Sequence, residues 1–240
     1  MRLMYEERFY RHISKGSFVQ EVAYYESDLY IVSDNNIDKE YARRALIKYY
    51  SQIKEYVKNN PGFLNSLSPL ALDDTAPAIV KDMLRVSSLS GIGPFSSVAG
   101  AIAHYVGREL LEVCREVIVE NGGDIFLKIE EDKDIGIYLG KSFKPDFLSI
   151  RVKKRAYPFG ICSSSSKIGH SLNFGSVDLL TVLAKDTLLA DSLATAYSNR
   201  IKTRKDVDKI LKNAESNPLV EAVIIAFSGE LFFWGDIELI

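Results

Sequence analysis

Short apolar runs alternate with turn residues in the segment that follows Glu116, and this pattern constrains the fold more than any other feature. The runs are EVIVE, DIFLKIE, IGIYLG and FLSIRV, and they are separated by Asn121-Gly122-Gly123, by Asp132-Lys133-Asp134 and by residues 142–145. Runs of this composition are typical of strands, and Asn-Gly between apolar strands is a strong hairpin signal. The segment is therefore predicted to form antiparallel strands joined by turns.

Helical spacing of apolar residues marks much of the chain before that segment. Residues 38–59 show this spacing and stop at Asn60-Pro61, as a helix is expected to do before proline. A second helix is predicted from about Pro77 to Val86, and a third follows Gly93-Pro94. Further hairpins or strands are predicted at 18–32, 176–184 and 222–237, and further helices at 187–198 and 205–214. With no repeat or linker, the pattern predicts one α+β domain over residues 1–240, with an antiparallel sheet and packed helices.

Charge and composition exclude several classes of function. The 30 Lys and Arg against 32 Asp and Glu give a net charge of -2, so no global basic field is present to attract nucleic acid or anionic lipid. The start MRLMYEERFYRHISKG is too charged for a signal segment, and no apolar run of about 18 residues follows. Cys114 and Cys162 lack metal-ligand spacing and suit a reducing compartment. We expect a cytoplasmic protein without nucleic-acid or membrane partners.

The first candidate site is the sequence ENGGDI, residues 120–125. A hairpin turn explains this sequence by itself, and the residues alone favour that interpretation. In the second interpretation, Asn121, Gly122, Gly123 and Asp124 expose backbone N–H groups beside a carboxylate, which suits a phosphate or a ribose.

The second candidate site is the sequence ADSLATA, residues 190–196. On a helix, Asp191 and Thr195 lie on one face and offer a carboxylate and a hydroxyl, which are hard oxygen ligands suited to Mg²⁺. The alternative is a solvated Asp191, with the Thr195 hydroxyl bonded to the carbonyl of Asp191. Without further context the residues favour the alternative.

The third candidate site is the sequence CSSSSKIGHS, residues 162–171. The serine run, including Ser163, Ser164 and Ser165, is typical of a loop whose hydroxyls and amides hold an anion. His170, one of only 3 histidines in the chain, has the chemistry of a general base near neutral pH. No Gly-x-Ser-x-Gly elbow supports a hydrolase.

The fourth candidate site is the small-residue sequence GPFSSVAGAIA, residues 93–103. A glycine at position 100 weakens a helix by about 1 kcal/mol relative to alanine, so Gly100 and Ala101 indicate tight helix packing or a ligand close to the backbone. Tight packing is the commoner reason. The segment contains neither a Walker A motif nor GxGxxG.

These four motifs occur in one order along the chain, and that order resembles the ApbE-like superfamily, most closely its branch of uncharacterised proteins. The resemblance extends from about Phe18 to Asn199, and ENGGDI and ADSLATA are its more specific motifs. Transferases of this superfamily use Mg²⁺ to split FAD, attach FMN through its phosphate to a threonine or serine hydroxyl of a partner protein, and release AMP. The resemblance therefore implies a flavin nucleotide and an acceptor protein as partners.

The resemblance also implies roles for individual residues. Asp191 and Thr195 match the metal ligands, and a main-chain carbonyl near Gly100-Ala101 completes the set. The residues Asn121 to Asp124 match the glycine turn of the flavin nucleotide site, and Ser163 to Ser165 replace the usual threonine-serine-glycine stretch. His170 matches the histidine placed where the acceptor hydroxyl loses its proton.

The chain departs from the transferases in two further places, and two hypotheses of function stay open. The residues after His170 are Ser171-Leu172-Asn173-Phe174 instead of a sequence with Asp-Pro, and His104 stands where the transferases carry a lysine. The first hypothesis is a Mg²⁺-dependent enzyme that transfers FMN from FAD. The second is a non-catalytic protein that binds a flavin or a phosphorylated ligand. The apolar ending AFSGELFFWGDIELI suits either a core or an interface strand of a homo-oligomer.

Overall fold

The structure is a computed structural model that describes residues 18–140, 142–165 and 175–240. Strands and helices come in separate groups along the described chain: two strands, a run of helices, six strands, two helices and three closing strands. The strands are β1 (Phe18–Tyr24), β2 (Ser27–Ser33), β3 (Val117–Asn121), β4 (Asp124–Lys128), β5 (Lys133–Tyr138), β6 (Phe147–Val152), β7 (Phe159–Ser164), β8 (Leu179–Ala184), β9 (Val220–Phe227), β10 (Glu230–Gly235) and β11 (Glu238–Leu239). The α-helices are α1 (Lys39–Asn59), α2 (Pro61–Asn65), α3 (Ala78–Ser90), α4 (Val98–Leu110), α5 (Thr187–Arg200) and α6 (Arg204–Glu215), and a 3-10 helix covers Pro94–Ser97.

The strands form two antiparallel sheets. The larger sheet has 8 strands in the order β1-β2-β3-β4-β7-β8-β9-β10, and the smaller has 3 strands in the order β11-β6-β5. Helices cover one face of the large sheet with an extended apolar core, and the small sheet packs on the other face with a second core. Because both faces of the large sheet are covered, its central strands β3 and β8 are buried along their whole length.

Helix α5 is the central element of the helical layer. It packs against β7 and β8 on the sheet and against α3 and α4 beside it. Most of its residues are buried, as expected for a helix enclosed on nearly every side. Its start is capped by Asp186, whose carboxylate accepts hydrogen bonds from the N–H groups of Leu188 and Leu189 at 2.9 and 3.3 Å. The cap fixes the position at which Asp191 enters the protein interior.

The structure confirms the predicted α+β fold, and it corrects two details of the secondary structure. The helix predicted to end near Val86 continues to Ser90, where Gly91 ends it in the left-handed conformation with φ 78°. The serine run is not a loop throughout, because Ser163 and Ser164 belong to β7. Hydrogen-bonded pairing with β4 and β8 on both sides outweighs the weak strand preference of serine.

Among the described helices, none is by itself long and apolar enough to cross a membrane. Ala78–Ser90 and Pro94–Leu110 pass a test of length and composition only together, as a pair bent by 109°.

Candidate functional site

Helices α4 and α5 touch at Gly100 and Asp191. The backbone N–H of Gly100 donates a hydrogen bond of 2.8 Å to Oδ2 of Asp191, in the first turn of α4, where N–H groups lack intrahelical acceptors. A methyl group on residue 100 would lie 2.8 Å from Cβ of Asp191 and 2.9 Å from the carbonyl oxygen of Thr187. Only glycine fits this crossing, so tight helix packing explains Gly100 and places a carboxylate at the start of α4.

The ENGGDI sequence forms the two-residue turn of the β3–β4 hairpin beside this crossing. Gly122 and Gly123 have φ values of 70° and 101°, which a residue with a side chain rarely adopts. The N–H of Gly123 donates to Oε1 of Glu120 at 2.7 Å. The side-chain amide of Asn121 donates to the carbonyl oxygen of Ala99 at 3.1 Å. The turn is therefore attached to the first turn of α4, next to Gly100.

Asp124 and Asp191 form a pair of buried carboxyl groups in this region. Each residue is 7% exposed, and Oδ1 of Asp124 has no hydrogen-bond partner among the described residues. Burial raises the pKa of Asp191 to about 7, against the effect of the Gly100 N–H. Burial and the charge of Asp191 raise the pKa of Asp124 well above its ordinary range, although the Cys162 thiol lowers it. A proton or a cation must compensate this pair of like charges.

Cys162 lies directly across the sheet from Asp124. Its thiol is fully buried and donates to the carbonyl oxygen of Thr187 at 3.4 Å. Burial, with the charges of Asp124 and Asp191, raises the pKa of the thiol well above its ordinary value. A neutral, buried thiol is unreactive, so Cys162 is a packing residue of the core.

The serines of the third motif extend β7 past the first residue of β4, at the sheet end where the ENGGDI turn lies. The hydroxyls of Ser163 and Thr181 are hydrogen-bonded at 2.8 Å, and the Ser165 hydroxyl donates to the carbonyl oxygen of Asp178 at 2.5 Å. Ser164 is buried. The backbone N–H of Ser163 lowers the pKa of Asp124, so this serine interacts with the carboxyl pair through its main chain.

The remaining predicted residues lie near the same place or outside the described chain. Thr195 follows Asp191 by one turn of α5 and is partly exposed, so both side chains share one face of the helix. Ala101 is fully buried in α4. His170 lies outside the described residues, and its position and role stay predictions. The structure thus brings together the small-residue helix, the ENGGDI turn, the start of the serine run and the ADSLATA helix.

Two contacts in this region were not predicted from the sequence. Glu120 fixes the glycine turn through its side chain, and the only signal for it is a charged residue at the end of an apolar strand. The start of α4 offers the N–H of Gly100 to Asp191, while the carbonyl of Ala99 accepts from Asn121. The resemblance implies a metal-binding carbonyl near Gly100-Ala101 in this segment, and neither of these two contacts was part of that expectation.

His104, at the position of the transferase lysine, packs edge-on against Phe126 with ring centroids 5.3 Å apart. Burial lowers the pKa of His104 below its ordinary value. The imidazole is therefore neutral at pH 7 and adds no positive charge one helical turn from Gly100.

The residues of this region suit a divalent cation with oxygen ligands. Within residues 18–140, 142–165 and 175–240, no group of three His, Cys, Asp or Glu side chains is arranged to hold a metal ion. A cation beside Asp191 therefore needs hydroxyl or carbonyl oxygens in addition to the carboxylate, and such hard ligands favour Mg²⁺. The unpaired Oδ1 of Asp124 and the raised pKa of Asp191 fit a cation, because its charge would stabilise both carboxylates.

The two-sheet fold and the meeting of these motifs define a protein of the ApbE-like class. The chain belongs to the family described as AbpE bacteria, whose model matches residues 11–218. It is 35% identical over 213 residues to a UPF0280 protein of Methanococcus maripaludis strain C5, covering 87% of this chain and 86% of the relative. It is 34% identical over 220 residues to a UPF0280 protein of Methanocaldococcus jannaschii, covering 86% of this chain and 89% of the relative.

Solved structures of ApbE proteins have the same fold. The ApbE protein of Thermotoga maritima superposes with a TM-score of 0.62 and 14% sequence identity, covering 92% of this chain and 96% of that chain. The flavin transferase ApbE from Vibrio cholerae superposes with a TM-score of 0.56 and 12% identity, covering 90% and 96%. At these identities the likeness establishes the shared fold.

Proposed function

We propose that the protein is a Mg²⁺-dependent enzyme that transfers FMN from FAD to a serine or threonine hydroxyl of a partner protein. The hydrogen bond between Gly100 and Asp191 supports this best, because it joins two of the motifs beside the third, the ENGGDI turn. The flavin transferase of Vibrio cholerae shares the fold, and we propose the same kind of activity for this protein.

In the proposed reaction, the acceptor hydroxyl oxygen forms a bond to the phosphorus of the FMN phosphate. The bond between that phosphorus and the oxygen bridging to AMP breaks, and AMP leaves with the electron pair. The hydroxyl proton passes to a base, and the resemblance to the transferases implies that this base is His170. A bound Mg²⁺ supplies positive charge that neutralises the pyrophosphate and the leaving group.

The chain's own residues bind and orient the reactants. Asp191 and Thr195 would hold the cation, together with a main-chain carbonyl near the start of α4. Glu120 keeps the glycine turn in one conformation through the N–H of Gly123. The space beside Gly123 is open within the described part of the chain, since no described residue apart from its two neighbours has an atom within 4 Å of the position that a Cβ would take there. A phosphate or ribose therefore has access to the backbone of the turn.

The test is the release of AMP from FAD in the presence of Mg²⁺, with and without EDTA. Asp191→Asn should lower the rate by roughly 100-fold or more, the equivalent of several kcal/mol of lost charge stabilisation. Asp208→Asn is the matched control, because Asp208 is exposed on α6 and pairs with Arg204 at the surface. Equal AMP release by Asp191→Asn and the parent would contradict the proposal.

The second candidate function is non-catalytic binding of a flavin or a phosphorylated ligand. The observation that favours it is the neutral, partly buried His104 at the position where the transferases carry a lysine. Calorimetric titration with FAD separates the two functions. A parent protein that binds FAD with Mg²⁺ but releases no AMP between pH 6 and pH 9 and labels no candidate acceptor protein would be a binding protein.

A further inference from the structure

Three tyrosines form an ordered aromatic cluster at the tip of the β1–β2 hairpin. The rings of Tyr25 and Tyr50 are stacked, with centroids 5.4 Å apart and planes inclined by 9°. Tyr24 packs edge-on against both rings, at 4.7 and 5.2 Å. The ammonium group of Lys54 lies 4.4 Å from the Tyr25 ring centroid, and the Tyr50 hydroxyl donates to Glu26. These contacts hold the rings in fixed orientations before any ligand binds.

The tyrosine cluster lies at the same end of the large sheet as the ENGGDI turn. Strands β2 and β3 are antiparallel and pair Leu29 with Asn121. The hairpin tip at Tyr25 and the turn at Gly122-Gly123 therefore project from the same end of the large sheet. The two hairpins are neighbours, with about two strand spacings of ~4.8 Å between them across the sheet, and the register places the β1–β2 tip about two residues further along the strands. A dinucleotide spans such a separation.

The tyrosine cluster also lies on the same face of the sheet as the carboxyl pair. Tyr24 and Tyr50 pack against the core beneath the helices. Cys162, whose side chain shares its face of the sheet with that of Asp124, belongs to the same core. The tyrosines and the carboxyl pair therefore border one side of the molecule.

Neither the backbone nor the core explains a tyrosine at position 25. Tyr25 has a φ of 50°, in the left-handed region where glycine is unstrained and a bulky side chain is disfavoured. The residue is 54% exposed, so burial does not compensate. Its ring contacts Tyr24, Tyr50 and Lys54 at the surface, and backbone strain at an exposed aromatic side chain supports the hypothesis of a functional role.

We propose that the stacked Tyr25 and Tyr50 bind a planar aromatic ring of the nucleotide, with Lys54 adding positive charge beside it. The proposal rests on the proposed function, since it deepens the nucleotide site. Stacking is the chemistry shared by the isoalloxazine ring of a flavin and the adenine ring of its AMP half. The experiment separates these two sources by measuring FMN and AMP independently.

The test compares the dissociation constants of FMN, from flavin fluorescence, and of AMP, from calorimetry, both with Mg²⁺. Tyr25→Gly should weaken binding of one or both by roughly 5- to 150-fold, the range that stacking on an aromatic side chain covers. Tyr25→Phe keeps the ring and should bind as the parent does. Tyr157→Ala is the control, because Tyr157 is 43% exposed and precedes β7, at the opposite end of that strand from Ser164.

Thermal unfolding separates binding from a structural role. Glycine is unstrained at φ 50°, so Tyr25→Gly should unfold at or near the temperature of the parent while its affinity falls. A fall in affinity that merely accompanies loss of the fold would overturn the inference, as would equal weakening by Tyr25→Phe. If Tyr25→Gly binds as tightly as the parent while Asp191→Asn does not, only the stacking inference is wrong. A parent that binds neither FMN, AMP nor FAD would end the proposed function as well.

Discussion

Replacing Gly100 with alanine tests the contact on which the site depends. Alanine is the better helix former by about 1 kcal/mol, so helix propensity alone predicts a more stable protein. The structure predicts the opposite, because the added methyl group would lie 2.8 Å from Cβ of Asp191 and 2.9 Å from the carbonyl oxygen of Thr187. Helices α4 and α5 must then separate, and the Gly100–Asp191 hydrogen bond of 2.8 Å lengthens.

The expected magnitude follows from these opposing contributions. Overpacking a close helix crossing costs about 1–3 kcal/mol, and weakening a hydrogen bond to a charged group costs up to about 1.5–3 kcal/mol. After the gain in helix propensity, Gly100→Ala should lower the free energy of unfolding by roughly 2–4 kcal/mol. For a chain of this size, each kcal/mol corresponds to about 2–4 °C in the melting temperature.

Urea and thermal unfolding of the full chain provide the measurement. Gly62→Ala is the matched control, since Gly62 is exposed in α2 and, among the described residues outside its own helix turn, none has an atom within 4 Å of its Cβ position. The control should be neutral or more stable by up to about 1 kcal/mol. Gly100→Ala should also lose Mg²⁺-dependent nucleotide binding, because the carboxylate moves. If both alanine variants are equally stable, helices α4 and α5 accommodate a methyl group at position 100 without cost, which would contradict the close crossing.

Three further results are expected. The pKa of Asp191 is about 7 in the folded protein, so the folded state binds more protons than the unfolded chain between about pH 4 and 7, and the metal-free protein should lose stability as pH rises through this range. Denaturant titrations with EDTA should show a flatter pH profile for Asp191→Asn. An unchanged slope in the mutant would assign the pH dependence to other groups. Mg²⁺ at pH 8 should raise the melting temperature of the parent but not of Asp191→Asn. Gly107→Ala should destabilise by roughly 1–3 kcal/mol in urea, because its methyl group would lie 2.2 Å from a ring carbon of Phe126; wild-type stability would show that this ring moves freely.

The elements that could be predicted from the sequence are those with strong local signals. Helix α1 has a regular apolar spacing, and the side chain of Asp38 caps its start by accepting from the N–H of Glu40 at 3.0 Å. The turn at Gly122-Gly123 needs positive φ at both residues, and two consecutive glycines in the sequence indicate such a turn. Strand β7 has no such signal. Its serines are held in a strand by partners distant in sequence, including Thr181.

The candidate site could be predicted as a set of motifs but not as a set of contacts. Their order along the chain indicated the family, and the glycine in α4 indicated a close approach of some kind. The partner in that approach is Asp191, which is 91 residues away in sequence. Periodicity carries no information about a crossing of two helices so far apart. The same holds for Ala99 and Asn121, which meet through a backbone carbonyl that any residue could supply.

The carboxyl pair shows most clearly what the structure adds to the sequence. The residues alone present Asp124 as part of a hairpin turn and Asp191 as a solvated residue or a metal ligand. The resemblance to the transferases places both in one pocket, but it does not predict that the two carboxyls share a buried environment. In the fold both are buried, and the charge of Asp191 raises the pKa of Asp124. His104, neutral at pH 7, does not offset that charge. Compensation must come from a proton or from a bound cation. The proton and the cation compete for the same carboxyl pair, so the affinity for the cation depends on pH.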